Sequence, residues 1–195
     1  MVNEKYGVEK MENGYTFSAW QGTNSHKFLY GSELAKAIRQ AFKECKIKGC
    51  TVSSKTYSGG QSITISITPK QSDFIPYAVF ENKCFECINY MRFGDWLYDE
   101  NNKAYHYDVV YSLPQEQAHH LYKLAIKRHY QRYIEGCTLN EYHFEKLEVF
   151  TEEFKKKLLD IRQVVLSFNH DDSDCMTDYF DRGFYEHYNL KPVKG

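Results

Sequence analysis

The sequence predicts an α+β fold: a small antiparallel sheet packed against helices, in one domain spanning residues 1–195. Three observations carry that expectation. Ile63, Ile65 and Ile67 alternate with Thr64, Ser66 and Thr68, the period of a strand with one buried face. Leu34, Ala37, Ile38, Ala41 and Phe42 recur at the spacing of one helix face. A helix followed directly by a hairpin is the element order of α+β rather than of βαβ proteins.

The elements follow in chain order. Residues 1–31 form a polar N-terminal segment with scattered aromatics (Tyr6, Tyr15, Phe17, Trp20), in which one or two short strands near Gly14 to Trp20 are expected. Ser32 reads as the N-cap of a helix over 33–45, and Gly49 closes that unit. Residues 51–56 are β-rich and pair antiparallel with the isoleucine strand, because Ser58-Gly59-Gly60 supplies the φ > 0 freedom of a tight turn. A short helix over 82–90 would turn Cys84, Phe85 and Ile88 inward. The polar run 99–103 is a turn signal between Trp96-Leu97-Tyr98 and the alternating residues 105–109, so a second hairpin is expected there.

Pro114 suits the first turn of a helix to about Ile134, stopped by Gly136 and burying Ala118, Leu121, Tyr122 and Ala125. A further helix starts near Thr151, with Phe154, Leu158, Ile161 and Val165 on one face. Its acidic Glu152 and Glu153 precede Lys155–Lys157 in the sense the helix dipole favours. Residues 114–163 thus make a helical layer, and a strand near 164–169 would join the sheet.

Composition narrows the function classes. A net charge of −1 lacks the basic excess of a chain devoted to DNA backbone binding. No apolar run reaches the ~18 residues of a membrane span, and the N-terminal decapeptide has no hydrophobic stretch, so no membrane partner and a cytoplasmic location are expected. Cysteines at 45, 50, 84, 87, 137 and 175 are then reduced thiols of the core. Cys84-Phe-Glu-Cys87 has the spacing of a zinc half-site, but no second matched pair completes it.

No Walker loop, dinucleotide fingerprint, HExxH or GxSxG occurs, and no catalytic residues or cofactor are expected. The densest carboxylate cluster is His170, Asp171, Asp172 and Asp174, with Asp178 and Asp181 beyond. Its oxygens would suit a hard cation in a metal-dependent hydrolase, whereas an Asn/Asp-rich capping loop explains them without a metal. The lone histidines and the adjacent pair His119-His120 have no metal-binding spacing. Lys123 and Lys127 share one exposed helical row, Arg128 and Arg132 another, interleaved with Tyr122, Tyr130 and Tyr133. Basic and aromatic side chains together suit a nucleic-acid strand. A solvated helix face accounts for the same residues.

Two stretches resemble a known family. Ser32–Pro69 carries a helix containing Ala37-Ile38-Arg39 and then, from Val52, VSSKTYSGGQSITISITP, and Phe168–Tyr185 reads FNHDDSDCMTDYFDRGFY. Together they resemble the large polyvalent-protein-associated domain, type twenty-nine, of phages and conjugative elements. The likeness covers about 60 residues. It departs from the family at the helical insert between the motifs and at Ile67-Thr68-Pro69, where a Trp is common. The resemblance implies a non-enzymatic accessory protein of a mobile genetic element and carries no catalytic residues over. It also gives the Asp-rich tail a structural role, with Asp174, Thr177, Asp178 and Phe180 locking the C-terminal segment onto the hairpin. The expected partner is nucleic acid or a host protein, contacted by Lys55, Tyr57 and the basic helix row. A structural module forming a homodimer through its tyrosines is the third expectation.

Overall fold

In the computed structural model, residues 4–11, 19–86, 98–99, 104–105, 115–174 and 181–193 are described. The isoleucine strand organises them. Strand β3 (Cys50–Tyr57) and strand β4 (Gly60–Ile67) form the expected antiparallel hairpin, with Val52 opposite Ile65 and Tyr57 opposite Gly60. Its two-residue turn rests on Gly59 at φ +84°. Ile63, Ile65 and Ile67 are wholly buried.

Helix α1 (Ser32–Glu44) lies against β3 and buries Leu34, Ile38, Ala41 and Phe42. Ala35 is buried in place of Ala37, which is half-buried. The N-cap is Gly31, one residue earlier than expected: its carbonyl accepts the first helical bond from Ala35, and Ser32 has already entered the helix. A serine hydroxyl gives no cap from that position.

The sheet corrects two expectations. Its order is β3-β4-β9-β7, from strand β7 (Thr138–Leu139) and strand β9 (Tyr185–Leu190). The last two pair antiparallel, but β9 runs parallel to β4, with Ile65 beside Tyr188, so the sheet is mixed. Parallel neighbours need a long crossover, here the whole helical layer. The strand expected near 164–169 is instead the end of helix α4 (Glu152–Leu166) and the turn after it. Val164 and Val165 look like strand residues by branching, yet they continue the buried stripe of Phe154, Leu158 and Ile161. Thr151 caps α4 by accepting from Phe154 N–H.

The remaining elements frame this core. Strands β1 (Val8–Lys10), β2 (Trp20–Gly22) and β8 (His170–Asp171) form a small antiparallel sheet. Helix α2 (Tyr77–Glu86) starts earlier than the 82–90 expected and packs on helix α3 (Gln115–Glu135). Strands β5 (Tyr98–Asp99) and β6 (Ala104–Tyr105) make the second hairpin. Gly136 ends α3 at φ +93°, where a Cβ would lie 2.7 Å from the Leu190 carbonyl oxygen. On α3, Tyr122 and Ala125 are buried as expected, joined by Ile126 and Tyr130. The side chains of Phe85, Ala118, Leu121 and His119 lie outside the described residues, as do Cys87, Ile88, Thr177, Asp178, Phe180 and the segments 12–18 and 106–109. Among the described residues, no helix is long and apolar enough to cross a membrane.

One titration reports on the helical layer. His129 on α3 stacks on Phe80 of α2 and meets the edge of Tyr133. Burial, with a smaller push from Arg132, lowers its pKa to about 4. Between pH 6.5 and 4 the unfolded chain therefore binds a proton that the folded chain refuses, and stability falls as pH drops through that window. We expect of order 3 kcal/mol to be lost there. His129→Phe, which keeps the ring contacts, should flatten this part of the urea-midpoint profile, and an unchanged profile would contradict the assignment.

Candidate functional site

The two faces of the main sheet differ completely. On one, Val52, Ile63, Ile65, Ile67, Tyr188, Leu190 and Leu139 are buried in the core. Strand alternation and the register place the opposite residues together. Thr51, Ser66, Asn189 and Thr138 form one cross-strand row, Ser53, Thr64 and His187 the next, then Lys55, Ser62 and Tyr185, and finally Tyr57 with Gly60. Thr51, Ser53, Lys55, Tyr57, Tyr185, His187 and Thr138 are all exposed. These twelve positions include no carboxylate, in a chain with 26 Asp and Glu. The open face is rich in hydroxyls, cationic at Lys55, and aromatic at its hairpin end.

Both tyrosines at that end are held in place. The Tyr57 ring lies over Gly60, where a Cβ would come within 3.0 Å of it, and its hydroxyl donates to the Gln61 carbonyl at 3.3 Å. The Tyr185 ring has the Arg182 guanidinium 5.4 Å from its centroid. Arg182 in turn donates to both oxygens of Glu186 (3.1 and 3.0 Å) and lies 3.7 Å from Asp171. Burial pushes the Glu186 carboxyl up from its ordinary pKa, and the Arg182 charge opposes that shift. Tyr57 and Tyr185 remain 43% and 45% exposed, enough for a planar group to stack on each.

Beneath the hairpin end lies a cleft of about 200 Å³, lined among others by Phe28, Tyr30, Phe168, His170, Gly183 and Phe184. Gln61, on the core side of β4, builds its wall. The side chain accepts from Gly31 N–H at 2.8 Å and donates to the carbonyls of Leu29 (3.2 Å) and Gly183 (3.3 Å). Tyr30 adds a hydroxyl bond to the Gly60 carbonyl. Phe28 closes the short 3-10 turn Ser25–Lys27 in the left-handed region, φ +45°, its N–H donating to the Ser25 carbonyl and its ring 87% exposed. A bulky side chain there is strained, and no buried contact repays it. Between the lining residues Phe168 and His170, Asn169 is fully buried and pairs with Phe184 twice: Oδ1 accepts from its N–H and Nδ2 donates to its carbonyl, each at 2.9 Å. Gly183 is obligatory at this approach, since a Cβ would sit 2.8 Å from Asn169 Oδ1 and 3.1 Å from His170 Nδ1.

The structure separates the residues that the sequence grouped. Lys55 and Tyr57 lie on the open face. Lys123, Lys127, Arg128 and Arg132 are exposed on α3, which joins the sheet at Leu190, five residues and about 16 Å along β9 from Tyr185. In the tail, His170 Nε2 faces Asp181 Oδ1 at 3.0 Å, Asp171 faces Arg182, and the N–H of buried Asp172 donates to the Asp181 carbonyl. Asp174 is half-buried. Among the described residues, no three His, Cys, Asp or Glu side chains converge to hold a metal. Cys50 and Cys137 are free, half-buried thiols, and burial pushes Cys50 up to about 11.

Sequence reasoning missed Phe28, Tyr30, Tyr185, His187 and Gln61. The alternation of residues 185–190 was available as a signal for Tyr185 and His187; nothing local marks Phe28. No family model, curated protein or solved structure matches the chain.

The strain at Phe28 can be measured. Glycine has no left-handed penalty but a larger unfolded-state entropy, so Phe28→Gly should leave stability unchanged or raise it by up to about 1 kcal/mol. A loss of more than that in urea unfolding would mean that the exposed ring contributes packing.

Proposed function

We propose that this chain is a non-catalytic accessory protein that binds single-stranded nucleic acid on the open face of its main sheet. The supporting observation is that face itself: two fixed, half-exposed tyrosines with Lys55 and His187 on a hydroxyl-rich surface free of carboxylates. Bases stack on exposed aromatics whatever their identity, and a cation tracks the backbone phosphates. A face without negative charge admits a polyanion even though the whole chain is nearly neutral. The role within a mobile genetic element rests on the likeness of Val52–Pro69 and Phe168–Tyr185 to the polyvalent-protein-associated domain.

Fluorescence anisotropy tests the reading. Short single-stranded DNA or RNA should bind more tightly than duplex, equally in EDTA and in Mg²⁺, and more weakly as salt rises. Tyr57→Ala and Tyr185→Ala should each lose about five- to a hundredfold, the worth of one stacked base. Lys55→Ala should weaken binding and reduce the log–log salt slope by about 0.7, the single-strand value for one phosphate. Loss of binding on changing Lys123, Lys127, Arg128 and Arg132 instead would move the interface to α3. Binding that requires Mg²⁺ and disappears in Asp174→Asn would favour the metal site. No binding at all would leave a host protein or a second copy as partner.

A further inference from the structure

We infer that the cleft under the hairpin end receives one unstacked nucleobase from the strand bound on the sheet, with Phe28 as its cap. The inference rests on the single-strand reading above and deepens it. Phe28 and Tyr30 border the cleft at the hairpin end, and Tyr57 and Tyr185 stand at the same end of the sheet on its open face. Gln61 puts the cleft on the core side of β4, so a strand stacked on Tyr57 and Tyr185 turns around the hairpin end to place a base in it.

The interior matches a base in shape and chemistry. About 200 Å³ lies below the range of sites for drug-sized ligands, and suits a single planar ring system. Phe168 and Phe184 supply apolar walls, and Phe28 and Tyr30 supply exposed faces at the rim. Lys27 Nζ stands 5.8 Å from the Phe168 centroid, a cation at hand for a phosphate-linked group, and no carboxylate is among the lining residues, the Asp181 carboxylate being paired with His170. The polar side chains of the lining include His170, whose Nε2 pairs with Asp181 Oδ1 at 3.0 Å while Nδ1 stands beside Gly183. A ring nitrogen at an aromatic-walled cleft can hydrogen-bond a base edge. The strain at Phe28 agrees with this role: the left-handed residue that closes the turn Ser25–Lys27 holds its ring out in solvent, where it gains contacts when something enters beneath it.

The test uses six-nucleotide single strands with 2-aminopurine placed at each position in turn, a base whose fluorescence falls on stacking. With the wild-type protein, one position should be quenched in a manner that vanishes in Phe28→Ala and in Ser25→Phe, which fills the cleft from its rim. Both variants should bind the strand about tenfold more weakly, as loss of one stacked base implies. Phe28 is exposed and Ser25 only half-buried, so neither change removes core packing. Tyr57→Ala should weaken binding yet keep the Phe28-dependent quench. If strands bind with Tyr57 and Tyr185 dependence but Phe28→Ala and Ser25→Phe behave as wild type, the cleft inference is overturned and the sheet reading stands. If no strand binds the wild-type protein, the sheet reading fails and the inference fails with it.

Discussion

The architecture depends on the docking of Phe184 against Asn169. One buried side-chain amide satisfies both backbone groups of Phe184, as a neighbouring strand would, while its own oxygen also accepts from His170 N–H. Gly183 makes the approach sterically possible. From this point the chain enters the sheet as β9, parallel to β4, and places Tyr188 and Leu190 beside Ile65 and Ile67 in the core. Without β9, β4 would be an edge strand, and Ile65 and Ile67 would lose Tyr188 and Leu190 beside them. Leaving Asn169 unpartnered in the core would itself cost a few kcal/mol.

The same docking gives the molecule its working surface. Once β9 is seated with Tyr188 inward, alternation obliges Tyr185 and His187 to point outward, beside Ser62 and Thr64. Helix α1 packs on β3 from the isoleucine side, where Leu34, Ile38 and Phe42 join Val52 and Ile65 in the core. The outer side carries hydroxyls, two tyrosines and a lysine. Arg182, held by the buried Glu186 carboxylate, stiffens Tyr185 from below, so an ion pair inside the fold positions an aromatic platform outside it. The cleft belongs to the same construction, because Gln61 and Gly183, which shape it, adjoin the two strands that define the face.

Much of this was legible in the residues, and the part that was not has a physical reason. The β3–β4 hairpin, α1 and the body of α4 declare themselves through local periodicity, which needs no knowledge of distant partners. Lys55 and Tyr57 could be placed on an outer face because they alternate with Ser54 and Val52 in a strand whose partner is adjacent. Residues 185–190 are different. Tyr185 and Tyr188 stand on opposite faces, and which one is buried is decided by the register with β4, more than a hundred residues earlier. Val164 and Val165 misled by their branching, although the stripe from Phe154 already assigned them to a helix. The Asp-rich tail drew attention by composition, and its neutral members Asn169 and Gly183 hold the C-terminal segment together with Asp171 and Asp181. Phe28 has no sequence signature, since its left-handed backbone belongs to a short turn, Ser25–Lys27, that no periodicity announces.

The most direct measurement is backbone amide NMR of the isotope-labelled protein titrated with a short single-stranded oligonucleotide. The account predicts perturbations concentrated in residues 51–57, 60–66 and 185–189, extending to 28–31 and 183, with the exposed row of α3 from Lys123 to Arg132 unaffected. Perturbations centred on that row, or none anywhere at saturating oligonucleotide, would contradict it.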